Sequence, residues 1–338
     1  MTEALLHNYD ALLLDLDGTV YRGATPIDTA EPAIQAAHQA GVAVRFVTNN
    51  ASRSPDDVAE HLNRLGIPAK HDEVTTSAQA AAGMLVDRVA PGADVLILGT
   101  GALAAEARAL GFTPVRAAGP GVKAVLQGLS QEVGWRDLAE ACLAIRAGAL
   151  WIVCNADATL PTERGLLPGN GALVAAVRAA TDATPLVAGK PERPLMDDAI
   201  KAAGARHPLA IGDRLDTDIE GAVNVGIDSL LVLTGVATAA TLLAAEPARR
   251  PTFVTADLRG IERAPADVAI AVHPDWQAEA TDELTLRHTG TGQPDALAAL
   301  RTLCATWWAA DQSGTPKVRA LDADAEAVID QLGLPAAS

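Results

Sequence analysis

Carboxylates gather directly after two apolar runs of this sequence. Asp15 and Asp17 follow the run Ala11–Leu14, and Gly18 lets the chain turn sharply behind them. Asp213 follows a second apolar run, within the sequence GDRLDTD. Because three carboxylates brought together would repel one another, this oxygen-only set predicts a hard divalent cation, with Mg2+ the first candidate. A calcium-binding EF-hand is disfavoured, since no glutamate stands at the twelfth position of the pattern.

Two further polar groups also follow predicted strands. Thr48 and Asn49 come at the end of the apolar run 42–47, and Lys190 comes shortly after the run 186–188. Functional side chains of open parallel sheets lie at the carboxyl ends of the strands. We therefore expect these residues at the same edge of the sheet as the aspartates.

Short apolar runs alternate with alanine-rich amphipathic runs over the first two thirds of the chain. This alternation predicts an α/β fold with a mostly parallel sheet. One helix is predicted over 30–40, and another begins after Ser54 with Pro55 at its first position. Further strands are predicted at 95–98, 150–154, 186–188, 209–211 and 230–233.

Four motifs in this order resemble those of the haloacid-dehalogenase-like (HAD) phosphatase superfamily. They are DLDGTV from Asp15, the threonine of FVTNN, Lys190 of AGKP, and GDRLDTD around Asp213. The resemblance implies a HAD-like Rossmannoid core and a Mg2+-dependent phosphohydrolase that forms an aspartyl-phosphate intermediate. A single motif would be weak support, but four in the correct order at strand ends are specific.

The resemblance also implies roles for the carboxylates. Asp15 would be the nucleophile, and Asp17 would protonate the leaving alkoxide and later deprotonate water. Asp15, the backbone carbonyl of Asp17, and Asp213 would hold Mg2+. An acid at position 17 favours hydrolysis of a phosphate ester or, less often, a phosphomutase reaction.

Donors for the phosphoryl group would come from the two middle motifs. Thr48, the backbone of Asn49, and Lys190 would bind the phosphoryl oxygens. Asp218 would position Lys190 or a metal-bound water. Taken alone, Lys190 would be read as a solvated lysine at a helix start.

Spacing of the motifs predicts a split core with an insertion. We assign 1–83 and 187–262 to the HAD core, 84–186 to an inserted α/β cap domain, and 265–338 to a small α+β C-terminal module. The fold class is thus α/β, with a parallel-sheet core, an inserted cap and an added C-terminal domain.

The inserted segment 138–177 closely resembles the C2-type caps of the class IIA, or NagD-like, branch. Such a cap closes over small phosphorylated metabolites. Asn155 and Asp157 are suited to a polyol because both accept hydrogen bonds from hydroxyls, although both residues equally suit a loop-shaping role. Thr162, Glu163 and Arg164 are further candidates for contact with the substrate.

The C-terminal module resembles a GNAT acyltransferase fold but lacks that fold's pyrophosphate-binding loop. It is therefore expected to be structural, interface-forming or regulatory, and not catalytic. The whole chain, with 5 lysines against 21 arginines and an added C-terminal module, resembles a subfamily of actinobacterial glycerol 3-phosphate phosphatases, and this resemblance implies that substrate. Alternatives are phosphoglycolate, a nucleoside monophosphate or an aryl phosphate. A different class of alternative is a ligand-binding regulator on a retired phosphatase scaffold.

Charge and cysteine content limit the partners and the compartment. The net charge of −16 argues against nucleic acid and anionic membranes as partners, since both bind basic patches. Cys142, Cys154 and Cys304 are too far apart for a metal or redox motif, which predicts buried free thiols in a reducing, cytoplasmic setting. The N-terminus does not resemble a signal peptide. Family resemblance implies a homodimer.

One segment imitates a dinucleotide-binding motif. GTGALAAE, residues 99–106, follows a predicted strand, as a dinucleotide fingerprint would. The acidic residue that should follow on the next strand is missing, because 114–123 contains no Asp or Glu. We interpret this segment as a tight strand-to-helix turn.

Overall fold

The computed structural model describes residues 3–162, 164–281, 283–310 and 314–337. Contacts divide the chain into two compact units. The first unit comprises Met1–Val44 and Ala205–Ser338, and the second comprises Arg45–Gly204. The boundary falls inside a β-strand, Ala43–Thr48, which begins in the first unit and ends in the second.

Strands and helices alternate along most of the chain, which confirms the predicted α/β class. The strands are β1 (Ala11–Leu14), β2 (Tyr21–Arg22), β3 (Thr25–Pro26), β4 (Ala43–Thr48), β5 (Val74–Thr76), β6 (Asp94–Leu98), β7 (Thr113–Val115), β8 (Val122–Gln127), β9 (Leu150–Val153), β10 (Thr159–Thr162), β11 (Gly165–Pro168), β12 (Leu186–Val187), β13 (Pro208–Gly212), β14 (Asp228–Val232), β15 (Phe253–Thr255), β16 (Trp276–Ala280), β17 (Leu284–His288) and β18 (Val318–Ala320). The α-helices are α1 (Ala30–Gln39), α2 (Pro55–Arg64), α3 (Ser77–Gly83), α4 (Gly101–Ala109), α5 (Trp135–Arg146), α6 (Asn170–Thr181), α7 (Arg193–Ala203), α8 (Glu220–Val225), α9 (Ala239–Leu243), α10 (Pro265–Val268), α11 (Ala296–Ala309) and α12 (Ala323–Gln331).

The first unit contains a parallel sheet built on two fully buried strands. β13 pairs with β1 on one side and β14 on the other, and β14 pairs with β15, all in parallel. Every residue of β1 and β13 is buried, the pattern of strands covered on both faces. Leu14 lies opposite Ile211 in this register. Asp15 and Asp213 therefore leave the sheet at neighbouring carboxyl ends.

The C-terminal module lies in the same unit as this sheet. β16 is antiparallel to β17, β17 is parallel to β18, and α11 and α12 pack on these strands. One continuous apolar cluster includes Leu231 of β14 and Val254 of β15 as well as Leu300 of α11 and Ile329 of α12. The module thus shares its core with the parallel sheet.

Hydrogen bonds reinforce this shared core. The buried Arg301 guanidinium donates to the carbonyl of Val254 at 3.1 Å, and the Trp308 indole donates to the carbonyl of Leu243 at 3.2 Å. The Arg250 guanidinium lies 5.0 Å from the centroid of the Trp308 ring. These contacts satisfy polar groups that would otherwise be costly to bury.

The second unit contains its own parallel sheet, in the order β12-β9-β8-β6-β7. β4 pairs with β5 in parallel, and β10 and β11 form an antiparallel hairpin. The parallel strands alternate with helices α4, α5 and α6. Sheet and helices here match the α/β character predicted for the insertion.

The segment that imitates a dinucleotide motif is a strand-to-helix turn, as predicted. It connects β6 to α4, and the Thr100 side chain caps the helix by accepting from Leu103 N–H at 3.4 Å. A side chain at Gly99 would meet Leu103 and the carbonyl of Gly128. Close packing therefore accounts for this glycine without a nucleotide.

Several local predictions are confirmed with small shifts in the ends of elements. α2 begins after Ser54 with a capping box formed by Ser54 and Asp57. The predicted strand 150–154 is observed as β9, Leu150–Val153. Among the described residues no helix has the length and apolar character needed to cross a bilayer. The boundaries 1–83, 84–186, 187–262 and 265–338 stay a prediction.

Candidate active site

Three carboxylates form a compact cluster in the first unit. Side-chain oxygens of Asp15, Asp213 and Asp218 all lie within 4.8 Å of one another. Asp213 and Asp218 are 0% and 3% exposed, and Asp15 is half-buried. Asp218 is expected from the family resemblance to position Lys190 or a metal-bound water. In the structure its carboxylate belongs to the cluster itself.

Strand pairing and a short helical turn bring these three side chains together. Asp15 N–H donates to the carbonyl of Ile211 at 2.9 Å, which continues the ladder between β1 and β13. Asp213 follows β13, and Asp218 lies in a π-helical turn, Leu215–Ile219. The Asp218 carboxylate accepts from Arg214 N–H at 3.1 Å, which holds the turn closed beneath the cluster.

Two neighbouring acids lie apart from this cluster. Asp216 accepts two hydrogen bonds from the Arg214 guanidinium, at 3.1 and 2.8 Å, consistent with a structural role. Asp17 is exposed, and Gly18 N–H donates to the carbonyl of Tyr21 at 2.7 Å in the turn behind it. An exposed carboxyl group is accessible for proton transfer.

Glycines allow the backbone to pack directly against the carboxylates. Gly18 has φ of 91°, in the left-handed region, and a Cβ built there would overlap the Asp213 carboxylate. A Cβ at Gly235 would overlap the same carboxylate, and one at Gly212 would overlap Asp218. Real side chains do not approach so closely, so all three positions require glycine.

A loop that sequence reasoning missed supports Asp213. Val236 N–H donates to Asp213 Oδ2 at 2.6 Å, and Ala237 N–H donates to the Asp213 carbonyl at 2.9 Å. Thr234 Oγ1 donates to the carbonyl of Gly18 at 2.6 Å. The pair Thr234-Gly235, which follows β14 after Leu233, was the available signal, since it stands near a strand's carboxyl end like the recognised motifs.

This donor set fits a divalent magnesium ion. Three aspartate side chains supply only oxygen, the ligand type that Mg2+ and Ca2+ prefer. Burying such closely spaced carboxylates as anions without a cation would cost several kcal/mol. Asp15, Asp213 and Asp218 are therefore the side chains that would hold the metal ion.

Donors suited to a phosphoryl group lie in the second unit. Lys190 is 3% exposed, and its ammonium group donates to the carbonyl of Val47 at 3.0 Å. The Asn49 amide pairs with the Lys190 backbone: Asn49 Oδ1 accepts from Lys190 N–H at 2.8 Å, and Asn49 Nδ2 donates to Lys190 O at 3.0 Å. Thr48 is also buried. Lys190 is therefore not a solvated lysine at a helix start, the interpretation that its position alone would favour.

The two polar cap residues contact Asn49. Asn155 Nδ2 donates to the Asn49 carbonyl at 2.7 Å, and both Asp157 oxygens accept from Asn49 Nδ2 at 3.4 Å. Asn155 Oδ1 also accepts from Asp157 N–H at 3.2 Å. Their expected contact with substrate stays a prediction, whereas their contact with Asn49 is an additional role.

Thr162 and Arg164, two of the remaining cap candidates, lie at the β10–β11 hairpin. Thr162 Oγ1 donates to the carbonyl of Gly165 at 2.8 Å and accepts from Arg164 N–H at 3.2 Å, so it stabilises the hairpin turn. Glu163 lies outside the described residues. Next to Asn155, complete burial raises the pKa of the Cys154 thiol, which keeps it protonated and unsuited to nucleophilic attack.

Family models match three parts of the chain. A haloacid dehalogenase-like hydrolase model matches residues 12–113, a HAD-hydrolase-like model matches 187–261, and a GCN5-related N-acetyltransferase-like domain matches 273–334. D-glycerol 3-phosphate phosphatase of Mycobacterium tuberculosis is 53% identical over 277 residues, covering 82% of this chain and 78% of that protein. Acid sugar phosphatase of Staphylococcus saprophyticus is 40% identical, covering 69% of this chain and 90% of that protein.

Solved structures agree with these matches. The M. tuberculosis glycerol phosphate phosphatase in complex with magnesium superposes with a TM-score of 0.93 at 47% identity, covering 99% of this chain and 100% of that chain. A thermostable NPPase from Geobacillus stearothermophilus superposes with a TM-score of 0.68 at 38% identity, covering 74% of this chain and 97% of that chain. The chain therefore belongs to the haloacid dehalogenase-like hydrolases, with a cap insertion and a GNAT-like C-terminal domain.

Proposed function

We propose that this protein is a Mg2+-dependent phosphoric monoester hydrolase whose substrate is glycerol 3-phosphate. The compact cluster of Asp15, Asp213 and Asp218 carries the proposal, because it offers only oxygen ligands to a divalent cation and includes the candidate nucleophile, Asp15. Similarity to a glycerol 3-phosphate phosphatase over most of both chains supports the substrate.

Asp15 performs the first chemical step. Its carboxylate oxygen attacks phosphorus in line with the leaving oxygen, forming a P–O bond to Asp15 as the P–O bond to the alcohol breaks. Asp17 gives its proton to the leaving alkoxide, so glycerol departs neutral. Asp17 then takes a proton from water. The water oxygen bonds to phosphorus as the P–O bond to Asp15 breaks, which regenerates the Asp15 carboxylate and releases inorganic phosphate. The bound cation supplies charge neutralisation between the carboxylate and the phosphate dianion.

Thr48, Asn49 and Lys190 bind the transferring phosphoryl group. Lys190 provides a full positive charge in a water-poor setting, where electrostatic attraction is stronger than in bulk solvent. The Asn49 amide fixes the backbone of Lys190 from both sides. Preorganised donors of this kind stabilise charge as it develops in the transition state.

The hydroxyl-bearing end of the substrate is assigned to the cap. Asn155 and Asp157 present an amide and a carboxylate, which suit the hydroxyls of glycerol. We further propose that the protein acts in the cytoplasm as a homodimer, without nucleic acid or membrane partners. Free cysteines at positions 142, 154 and 304 support a reducing compartment.

A substrate panel tests the proposal. Initial rates are compared for glycerol 3-phosphate, phosphoglycolate, pyridoxal phosphate, UMP, glucose 6-phosphate and 4-nitrophenyl phosphate at equal concentration with Mg2+. We expect kcat/KM for glycerol 3-phosphate to exceed every other value by about tenfold or more, since a built hydroxyl-binding site rejects analogues that leave it unpaired. A higher kcat/KM for any other substrate would overturn the proposal of glycerol 3-phosphate as substrate but would leave the proposed phosphoric monoester hydrolase activity standing.

Metal removal tests the chemistry independently of substrate. Protein dialysed against EDTA and then against metal-free buffer is expected to lose about 100-fold or more of its hydrolysis rate, because uncompensated carboxylates repel the phosphate dianion. Adding Mg2+ should restore the rate. Full activity in the metal-free sample would contradict the proposal, and absence of hydrolysis with Mg2+ on every substrate would favour a retired, ligand-binding scaffold.

A further inference from the structure

A series of hydrogen bonds donated by side chains of the second unit ends at Asn49, the residue that pairs with the Lys190 backbone; its last two links are accepted by backbone carbonyls. We call it the amide relay; its members are Trp151, Gln127, Asn170, Asn155 and Asn49. Gln127, Asn170 and Asn155 are 0%, 1% and 5% exposed. Buried amides are costly unless each is paired, so a connected series of them is a constraint on the fold.

Each link of the relay is a direct contact. Trp151 Nε1 donates to Gln127 Oε1 at 3.1 Å, and Gln127 Nε2 is 3.4 Å from Asn170 Oδ1. Asn170 Nδ2 donates to the carbonyl of Asn155 at 2.7 Å, and Asn155 Nδ2 donates to the carbonyl of Asn49 at 2.7 Å. The relay thus runs from the middle of β9 to the residue that pairs with the Lys190 backbone.

The direction of the relay is fixed at its far end. The Trp151 indole is only a donor, so the Gln127 carbonyl oxygen must face it and the Gln127 NH2 group must face Asn170. Asn170 then receives at its oxygen and donates from its nitrogen. Trp151, Gln127, Asn170 and Asn155 each donate toward Asn49. The first three hydrogen bonds pass through the side-chain amides of Gln127 and Asn170, so they polarise and strengthen one another. The last one starts from the separate side-chain amide of Asn155.

Secondary structure places these residues where they can meet. Gln127 is the last residue of β8, Asn170 is the first residue of α6, and Asn155 follows β9. β8 and β9 are parallel neighbours with Val125 opposite Trp151. The carboxyl end of this sheet therefore supports the relay.

We propose that Gln127 and Asn170 are positioning residues for phosphate binding, acting through Asn155 and Asn49 on Lys190. The proposal rests on the function assigned above to Asn49 and Lys190. Neither Gln127 nor Asn170 belongs to a recognised motif. Their task is to hold the Asn49 carbonyl, and with it the Asn49–Lys190 pairing, in one geometry.

Gln127→Met tests the relay with a side chain of similar length that neither donates nor accepts strongly. We expect kcat/KM for 4-nitrophenyl phosphate to fall about tenfold, since small displacements of binding groups are amplified in rate. The inhibition constant of inorganic phosphate should rise in parallel. The Mg2+ concentration for half-maximal rate should stay unchanged, because the carboxylate cluster consists of other residues. Gln131→Met, the same change at an exposed glutamine, should match the wild type in all three.

Trp151→Phe distinguishes a relay from a general effect on stability. In the wild-type background it removes the terminal donor and should lower kcat/KM about threefold, as loss of one modest hydrogen bond does. In the Gln127→Met background it should have no further effect, because Trp151 acts through Gln127. If the two residues acted independently, the factors by which each single variant lowers kcat/KM would multiply in the double variant.

The outcomes separate this proposal from the proposed function. Wild-type protein without Mg2+-dependent hydrolysis would remove the function and the relay's role together. Active wild type with a Gln127→Met variant equal to Gln131→Met, or with losses that multiply in the double variant, would overturn only the relay. If Gln127→Met unfolds below the assay temperature, Trp151→Phe alone must raise the phosphate inhibition constant at unchanged Mg2+ dependence; an unchanged constant overturns the proposal.

Discussion

Asp15→Asn is expected to abolish hydrolysis, lowering kcat for glycerol 3-phosphate by about 10⁴-fold or more. The amide has nearly the shape of the carboxylate but cannot form the acyl phosphate. The substitution also removes one negative charge from the carboxylate cluster. Initial rates with saturating Mg2+ measure the change. Asp28→Asn, the same substitution at an exposed position of the first unit, is the control and should keep the wild-type rate.

Intact-mass measurement with Asp17→Asn separates a nucleophile from a metal ligand. 4-Nitrophenolate leaves without needing a proton, so this variant should still transfer the phosphoryl group to Asp15. It should then hydrolyse the aspartyl phosphate only slowly, because no acid at position 17 can take the proton from water. We expect one added phosphoryl group per chain, absent from the Asp15→Asn, Asp17→Asn double variant. Undiminished turnover by Asp15→Asn would exclude the covalent mechanism.

Gly235→Ala should impair the cation site while leaving the fold in place. Its φ lies outside the left-handed region, so alanine adds no backbone strain, but the new methyl group would overlap the Asp213 carboxylate. Asp213 is fully buried and can avoid the methyl group only by leaving its position in the cluster. We expect the Mg2+ concentration for half-maximal rate to rise about tenfold or more, the range found when groups supporting a metal site are disturbed.

Metal titration of the initial rate measures this change, with thermal unfolding recorded on the same samples. Gly292→Ala is the matched control, because a Cβ there meets open space. Unaltered Mg2+ dependence in Gly235→Ala would show that the loop after β14 does not constrain Asp213. A large loss of stability at unchanged Mg2+ affinity would assign Gly235 to folding alone.

Local patterns predict that Asp15 and Asp213 meet, but they do not place Asp218 in the cluster. Asp15 and Asp213 each follow a fully apolar strand, and parallel neighbours deliver strand ends to one edge, so spacing and composition point to their meeting. The helix after Ser54 is equally local, since its cap and first-turn proline lie within four residues. The apolar strand before each aspartate and the cap of this helix are signals that lie close in sequence to the residues they position.

Other features carry no clear signature in the sequence. The β10–β11 hairpin includes Pro161 and Gly165, which disfavour a strand prediction. Gln127 meets Asn170 only through tertiary packing, and a single buried glutamine resembles any other in sequence. The sequence GDRLDTD does not reveal the π-helical turn that brings the Asp218 carboxylate inward, so it predicts only a positioning role for Asp218.

Helix α9 connects the C-terminal module to the loop that contacts Asp213. Ala237 binds the Asp213 carbonyl, α9 begins two residues later, and Leu242 and Leu243 share an apolar cluster with Leu300. The GNAT-like segment therefore packs against the helix that follows the Asp213 loop. Deletion of residues 265–338 would remove part of the apolar packing that supports this loop.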